Sequence, residues 1–295
     1  MPRGPDTSAA FLTRLWREKP LGSVCGIIIL MLILVGILAD VLAPYDHMEP
    51  HTDDILQAPS ARFLLGTDYV GRDFLSRLIH GARLSLIVGL AATTLNVVVA
   101  VLIGGSSGFF GGKLDLAVQR FVDAWMAFPG LLLLLTVMSI VGRGMLQIIV
   151  VLGITGGIVG SRTVRGAVID IKENAYFHAA QSIGSAGWRT FIRHVLPNIA
   201  PVVIVIFTIN IGGVIISEAS LSFLGFGLPP SVPSWGAMLS REGRQFMEIA
   251  PWLALWPGLA LTVTVYCLNM FGDALRDLLD PRLRGGGGRI GATGA

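Results

Sequence analysis

The chain has 295 residues, of which 53% are hydrophobic and only 14% charged. An ordinary soluble domain carries about 25% charged residues, so a soluble enzyme or binding module is excluded and an integral membrane protein is implied. The net charge of +3 is small, and where the charges fall matters more than their sum. The 37 glycines suit close packing of helices in lipid. Cys25 and Cys267 both lie inside apolar runs and read as small buried hydrophobes, not as a structural disulfide.

Residues 1–20 are polar and basic, with Arg3, Arg14, Arg17 and Lys19. The apolar run that follows, Leu21 to Ala39, is long enough to span a bilayer. A basic start before an apolar run also fits a signal peptide. This run is longer than a signal core, and no small-x-small cleavage site closes it, so an uncleaved span is expected. Residues 44–83 open with the acids Asp46, Glu49, Asp53 and Asp54. Near their end, Phe74, Leu75, Leu78 and Ile79 form an apolar stripe that predicts a helix lying in the membrane interface.

The second span, Leu84 to Phe110, carries no charge. Within it Gly104, Ser106 and Gly108 satisfy G-x-S-x-G, the nucleophile elbow of hydrolases. That elbow needs a strand before it and a helix after it. Here an apolar helix precedes, so a Gly-rich helix end is the better reading. The following GGSSGFFGGKL approaches a phosphate loop and fails it. Ser107 stands where the motif needs Gly, and Leu114 follows Lys113 where it needs Ser or Thr. The chain is therefore not expected to bind ATP by itself, and if transport is ATP-driven the ATPase is a separate chain.

A third span is predicted over Ala124 to Val141, entered through Asp123. A fourth, Met145 to Ser161, carries Gly153, Gly156, Gly157 and Gly160 at overlapping small-xxx-small spacings, which suggests a helix buried among others. Then comes a polar insert, Glu173 to Pro197, with Lys172 just before it and Arg189, Arg193 and His194 within it. Tyr176, Ala179, Ala180 and Ile183 share one face of a first short helix. Gly184 supplies a turn that a Cβ would resist. Trp188, Phe191, Ile192, Val195 and Leu196 share a face of a second, which Pro197 is expected to stop. This helix–turn–helix reads either as a hairpin on the membrane surface or as a docking element for a cytoplasmic partner.

The fifth span is Asn198 to Ser217, and Glu218 ends it. An acid inside lipid is costly and a functional candidate by default. At the interface it either caps the following turn or stands at the outer mouth of a pathway, where it would meet a cationic substrate end. The sixth span is Ile249 to Gly272. Asn96, Asn210 and Asn269 lie within spans and are expected to hydrogen-bond between helices. After the last span, Asp273, Arg276, Asp277, Asp280, Arg282 and Arg284 read as a mixed-charge tail, solvated or touching a partner. The Gly-rich stretch 285–295 is expected to be disordered. Three parts result: 1–83 with the first span, 84–284 with the other five, and the tail.

Orientation follows from Lys and Arg. With the N-terminus inside, the inner segments hold 15 basic residues and the outer segments 7. Both termini and the helix–turn–helix loop are thus expected to face the cytoplasm.

The loop resembles the "EAA" loop of ABC-importer permeases: Glu-Ala-Ala, three residues, Gly, nine residues, an apolar residue, one residue, Leu-Pro. Ala179, Ala180, Gly184, Leu196 and Pro197 fall at matching positions. His178 stands where the pattern has Glu, and His194 where it has an apolar residue. Leu65-Gly66-Thr67-Asp68, Gly71-Arg72-Asp73, Ser76-Arg77 and Gly81-Ala82-Arg83 resemble the series that leads into the second span in the dipeptide, oligopeptide and nickel branch of those permeases. SEASLSFLGFG (Ser217 to Gly227) and WGAML (Trp235 to Leu239) resemble the same branch, and its "C"-type subunit in particular.

The resemblance implies an all-α integral membrane protein of six transmembrane helices with the type I ABC importer permease fold. It implies a multi-pass subunit in a bacterial cytoplasmic (inner) membrane, with a sister permease beside it. Two ATPase subunits that bind ATP and Mg would dock below, and a periplasmic or lipid-anchored solute-binding protein would deliver the substrate. No cofactor, metal or nucleic acid is expected in this chain. The loop residues Tyr176, His178, Ala179, Ala180, Ile183, Gly184, Leu196 and Pro197 would couple it to the ATPases, and transport would proceed by alternating access. Small peptides are the expected cargo, with nickel or another metal complex as the alternative. A hydrolase using Ser106 and a self-contained secondary transporter are the readings from other classes. The second would favour charged groups in mid-membrane and repeated halves, and neither is legible.

Overall fold

The computed structural model describes residues 8–173, 187–229 and 232–279; among them the chain is helical, with one isolated bridge between Thr67 and Asp73. The helices are α1 (Ser8–Glu18), α2 (Pro20–Ile37), α3 (Ala39–Leu42), α4 (Phe74–Phe110), α5 (Gly112–Met126), α6 (Gly130–Val141), α7 (Met145–Lys172), α8 (Leu196–Phe223), α9 (Trp235–Met238) and α10 (Trp252–Leu279). Of these α2, α4, α7, α10 and α8 with its lead-in from Trp188 are each long and apolar enough to cross a membrane. Helices α5 and α6 together would make a sixth crossing, bent by 92°.

That bend corrects the expectation of one straight third span over Ala124 to Val141. Proline lacks an N–H and pushes the residue before it out of the helical region. Pro129 itself is extended, with ψ 121°, and α6 starts only after it. Helix α5 is held against α7 by charge, Arg165 donating to both oxygens of Asp115 at 2.6 Å and Arg162 pairing with Asp123.

Helix α4 starts ahead of the apolar run, at the Asp73 cap, whose side chain accepts from Ser76 N. The stripe at Phe74 therefore does not lie in the interface; Phe74 is fully buried. A boundary before Leu84 falls inside α4. The same extension carries α7 past Ser161 to Lys172 and α10 past Gly272 to Leu279. Lys172 Nζ donates to the carbonyls of Gly108 and Phe109, closing the end of α4. Asp273, Arg276 and Asp277 thus belong to a helix, not a tail, and Lys19 pairs with Asp277 at 2.5 Å. Asp280, Arg282, Arg284 and the Gly-rich stretch lie outside the described residues.

The glycine-rich span packs as its spacing suggests. A Cβ on Gly157 would stand 2.5 Å from Val99, one on Gly153 2.6 Å from Leu95, and one on Gly104 2.0 Å from the Ser161 carbonyl. Small residues on both helices let the α4 and α7 backbones approach closely. Gly104, Ser106 and Gly108 thus lie in the last turns of α4, the Gly-rich helix end expected, and Ser106 Oγ donates to the carbonyls of Leu102 and Ile103 in its own helix. No nucleophile elbow exists there. Cys25 and Cys267 are free, buried and part of one apolar cluster between α2, α8 and α10.

The starts of α4 and α10 and the end of α8 share one end with Trp235, where Phe74, Trp235 and Leu253 form one apolar cluster and Gly236 lies against Ala219. The ends of α4, α7 and α10, the start of α8 and helix α1 share the other, with Phe191.

Candidate functional site

At the Trp235 end the three sequence blocks meet. Gly66 and Gly71 have φ of +82° and +87°, where a side chain is strained. Their turns place Asp68 at the centre of the loop, fully buried. It accepts from the backbone N–H of Val70 and Arg72 and from Arg72 Nε at 2.8 Å. Arg77, one turn into α4, lies 3.4 Å from Asp68 and donates to Glu242 at 2.9 Å. Burial is the largest influence on the Glu242 carboxyl and pushes it up to about 7, against the nearby Arg77 charge.

The other two blocks are seated by absent side chains. Trp235 Nε1 donates to the Leu78 carbonyl at 3.1 Å, and its ring lies over Gly81, where a Cβ would meet it at 2.9 Å. A Cβ on Gly236 would stand 2.5 Å from Cα and O of Ala219. The segment around α9 is therefore clamped between α4 and α8. This constellation is a scaffold: its charges face one another and its glycines admit backbone.

Glu218 belongs to the same region. It is 1% exposed, its Oε1 accepts from Ser222 Oγ at 2.7 Å, and its Oε2 has no hydrogen-bond partner among the described residues. It is not in the wall of the cavity described next, whereas the adjacent Ser217 is.

Between α4, α7, α8 and α10 lies a cavity of about 990 Å³. Most of its wall is aliphatic. Among the described residues, the polar groups along the spans are uncharged, including Asn96, Thr155, Asn210 and Ser217, and the charged residues lining it are Asp170 and Arg276, toward the Phe191 end. Sequence reasoning missed this role for Arg276 because it was assigned beyond the span. It also expected Asn96 to bond between helices; Asn96 instead lines the cavity with Oδ1 unpartnered. Asn269 does face another helix, α8, at Gly212.

Of the polar insert, Tyr176, His178, Ala179, Ala180, Ile183 and Gly184 lie outside the described residues. From Gly187 on, the chain is described, and Pro197 does not stop the second helix. The turn Phe191–Val195 is a π-turn, the Leu196 N–H reaching back five residues to the Phe191 carbonyl, and α8 continues through Pro197 and Pro201. A π-turn shifts the bonding register, so a proline's missing donor can be tolerated. The buried face is Thr190, Phe191, Val195 and Ile199, while Trp188 and Ile192 point outward. Phe191 fills a notch on α4, where a Cβ on Gly105 would meet its ring at 2.8 Å. The insert is thereby keyed into the spans.

The profile of the family described as binding-protein-dependent transport system inner membrane component matches residues 100–285. The glutathione transport system permease protein GsiD of Pectobacterium atrosepticum is 38% identical over 277 residues, 91% of this chain and 92% of that protein. GsiD of Escherichia coli O6:K15:H31 is 38% identical over 273 residues, 92% of this chain and 90% of it. Among solved structures, an inward-facing form of the MetNI methionine ABC transporter has a TM-score of 0.57 at 17% identity, over 69% of this chain and 96% of that one. That likeness concerns the fold, which is that of a type I importer permease.

Proposed function

This chain belongs to the binding-protein-dependent transport system inner membrane components, and from that premise we propose that it lines half of the translocation pathway for a small peptide, a glutathione-sized tripeptide first among them. It is a permease subunit of an ATP-driven importer, multi-pass in a bacterial inner membrane, and not an enzyme.

The cavity carries the substrate reading. Its volume is of the order that holds a small organic solute. Among the described residues its wall is uncharged along the spans and carries charges of both signs, Asp170 and Arg276, toward one end, which suits a zwitterion. The naming of 38% identical relatives for glutathione transport supports the same reading.

The sister permease would complete the pathway, and two ATPase subunits would bind ATP and Mg²⁺. A solute-binding protein, soluble or lipid-anchored, would load the outer mouth at the Trp235 end. The 15-to-7 split of basic residues supports a cytoplasmic Phe191 end, with both termini there. Coupling would run from Tyr176, His178, Ala179, Ala180, Ile183 and Gly184 through Leu196 and Pro197 into α8. The seat of Phe191 on α4 supports that route, since it ties the insert to two spans at once. Glu218 would steady the mouth from behind, through Ser222, instead of meeting the solute. Residues 84–284 would carry the transport domain, with 1–83 adding α2 and the scaffold loop.

Uptake of labelled glutathione, other di- and tripeptides and nickel should be compared in a strain lacking this chain, with and without its return. Restored uptake of one or more peptides is expected; restored uptake of nickel and no peptide would overturn the peptide reading.

A further inference from the structure

Asn96 stands on α4 in the wall of the cavity and is 4% exposed. Its carboxamide lies over the notch that Gly156 and Gly160 leave on α7. A Cβ on Gly156 would stand 2.1 Å from Asn96 Nδ2, and one on Gly160 3.5 Å from Oδ1. Both glycines line the same cavity. Oδ1 has no hydrogen-bond partner among the described residues. A buried amide left unpaired is destabilising, and a leucine of similar size would avoid that cost. Asn210 on α8 brings a second carboxamide to the same cavity.

A carboxamide offers an acceptor oxygen and two N–H donors, which complement the one N–H donor and one carbonyl acceptor of a peptide bond. It can pair with a solute's amide N–H and C=O together. Being uncharged, it can hold a solute and still release it, as a transit site must. A bare cation or carboxylate would gain far more from a charge, and among the described lining residues the charges are Asp170 and Arg276, at the Phe191 end.

We propose that Asn96, with Asn210 facing the same space, is a specificity-determining residue that recognises the peptide bond of the solute in transit. The inference rests on the reading of the cavity as a peptide pathway. It gives the transmembrane wall a share in selection, downstream of any binding protein.

The test uses the complete importer in proteoliposomes, loaded with a tripeptide or with its depsipeptide analogue, in which an ester oxygen replaces one amide N–H. Affinities of the binding protein for both are measured separately, and uptake rates are compared at saturation. Wild type should favour the peptide by about three- to tenfold, the worth of one neutral hydrogen bond. Asn96→Leu should bring the ratio near one, and Asn96→Gln should retain part of it. A ratio unchanged in both Asn96→Leu and Asn210→Leu would overturn the proposal, as would a wild-type ratio of one. So would Asn96→Leu that sheds the sister permease while its remaining uptake keeps the ratio, since Asn96 would then be an assembly contact. If Asn96→Leu does not accumulate in the membrane, Asn96→Ser and Asn210→Leu give the same readout. Wild type that imports neither compound would overturn the peptide reading itself, and this inference with it.

Discussion

At Gly236 the spacing of two helices is set by a hydrogen atom. A methyl group there would stand 2.5 Å from the Ala219 backbone, which has no side-chain rotamer by which to yield. Overpacking of this kind typically costs about 1–3 kcal/mol, and more where backbone must move. Gly236→Ala should therefore lower membrane abundance and the thermal midpoint in detergent, while Gly213→Ala on α8, with nothing within 4 Å, should do neither. Equal stability of the two variants would show that α9 is not seated on α8. A second residue-scale prediction concerns Glu242, which faces Arg77, Asp68 and Arg72. Its folded value of about 7 lies above the ordinary 4.5, so the folded state holds the proton more tightly than the unfolded chain. The resulting stabilisation is fully present below about 4.5 and is lost as pH rises through about 7. At 1.36 kcal/mol per pH unit it is on the order of 3 kcal/mol at most. Other carboxylates change with pH in their own ways, so the difference between wild type and Glu242→Gln is the measure. Relative to the variant, wild type should lose stability between pH 5 and pH 8; parallel curves would reject the assignment.

At the scale of elements, what was legible from sequence was what periodicity and motif spacing encode. The glycine face of α7 could be read because close packing in lipid requires small residues at a fixed interval. The lengths of the helices could not, because hydropathy marks where lipid ends and not where a helix ends. Arg77 and Arg276 are charged yet lie on long apolar helices, Arg77 buried within the protein and Arg276 exposed near the end of α10. The effect of Pro197 was misread for a related reason. Proline stops an ordinary helix, and nothing in the sequence announces the π-turn over Phe191–Val195 that accommodates it. The bend before α6 could have been found in Phe128-Pro129-Gly130, a breaker set inside an apolar run. Mechanically, the most consequential element contact is Phe191 in the notch at Gly105. Gly105→Ala should push the ring out and reduce transport, and Phe191→Leu should leave a partial void. Residues in contact commonly show a coupling of about 0.5–3 kcal/mol. The double variant Gly105→Ala with Phe191→Leu should be more stable than the sum of the singles predicts, with transport partly recovered. Additive losses would show that the two side chains do not share that space.

For the whole molecule, the number of crossings decides how the insert and the scaffold loop are disposed, and it hangs on α5 and α6. Each is too short to cross alone: the 12 residues of α6 rise about 18 Å, against a hydrocarbon core of about 30 Å. Helix α5 begins with Lys113 and Asp115 and is tied by ion pairs to the polar end of α7, so it lies along that end and does not enter lipid as an apolar rod. The pair therefore completes a crossing only if α6, continued by 142–144, reaches the end where α7 begins. Alternation requires this, since α7 ends beside the end of α4, where Lys172 meets Gly108. Glu49 and Gly187 are both exposed and sit on either side of α4, the α5–α6 pair and α7. Three crossings between them put the two residues on opposite sides of the membrane; two put them on the same side. Cysteine at each position, in a background with Cys25 and Cys267 replaced by Ala, should be probed with a membrane-impermeant maleimide in spheroplasts and in inverted vesicles. Glu49→Cys should label from outside alone and Gly187→Cys from the cytoplasmic side alone. Labelling of both from one side would make the α5–α6 pair a re-entrant loop and remove one crossing. Opposite sides in the reversed sense would keep six crossings and refute the orientation drawn from the basic residues, placing the scaffold with Asp68 and Glu242 toward the ATPases.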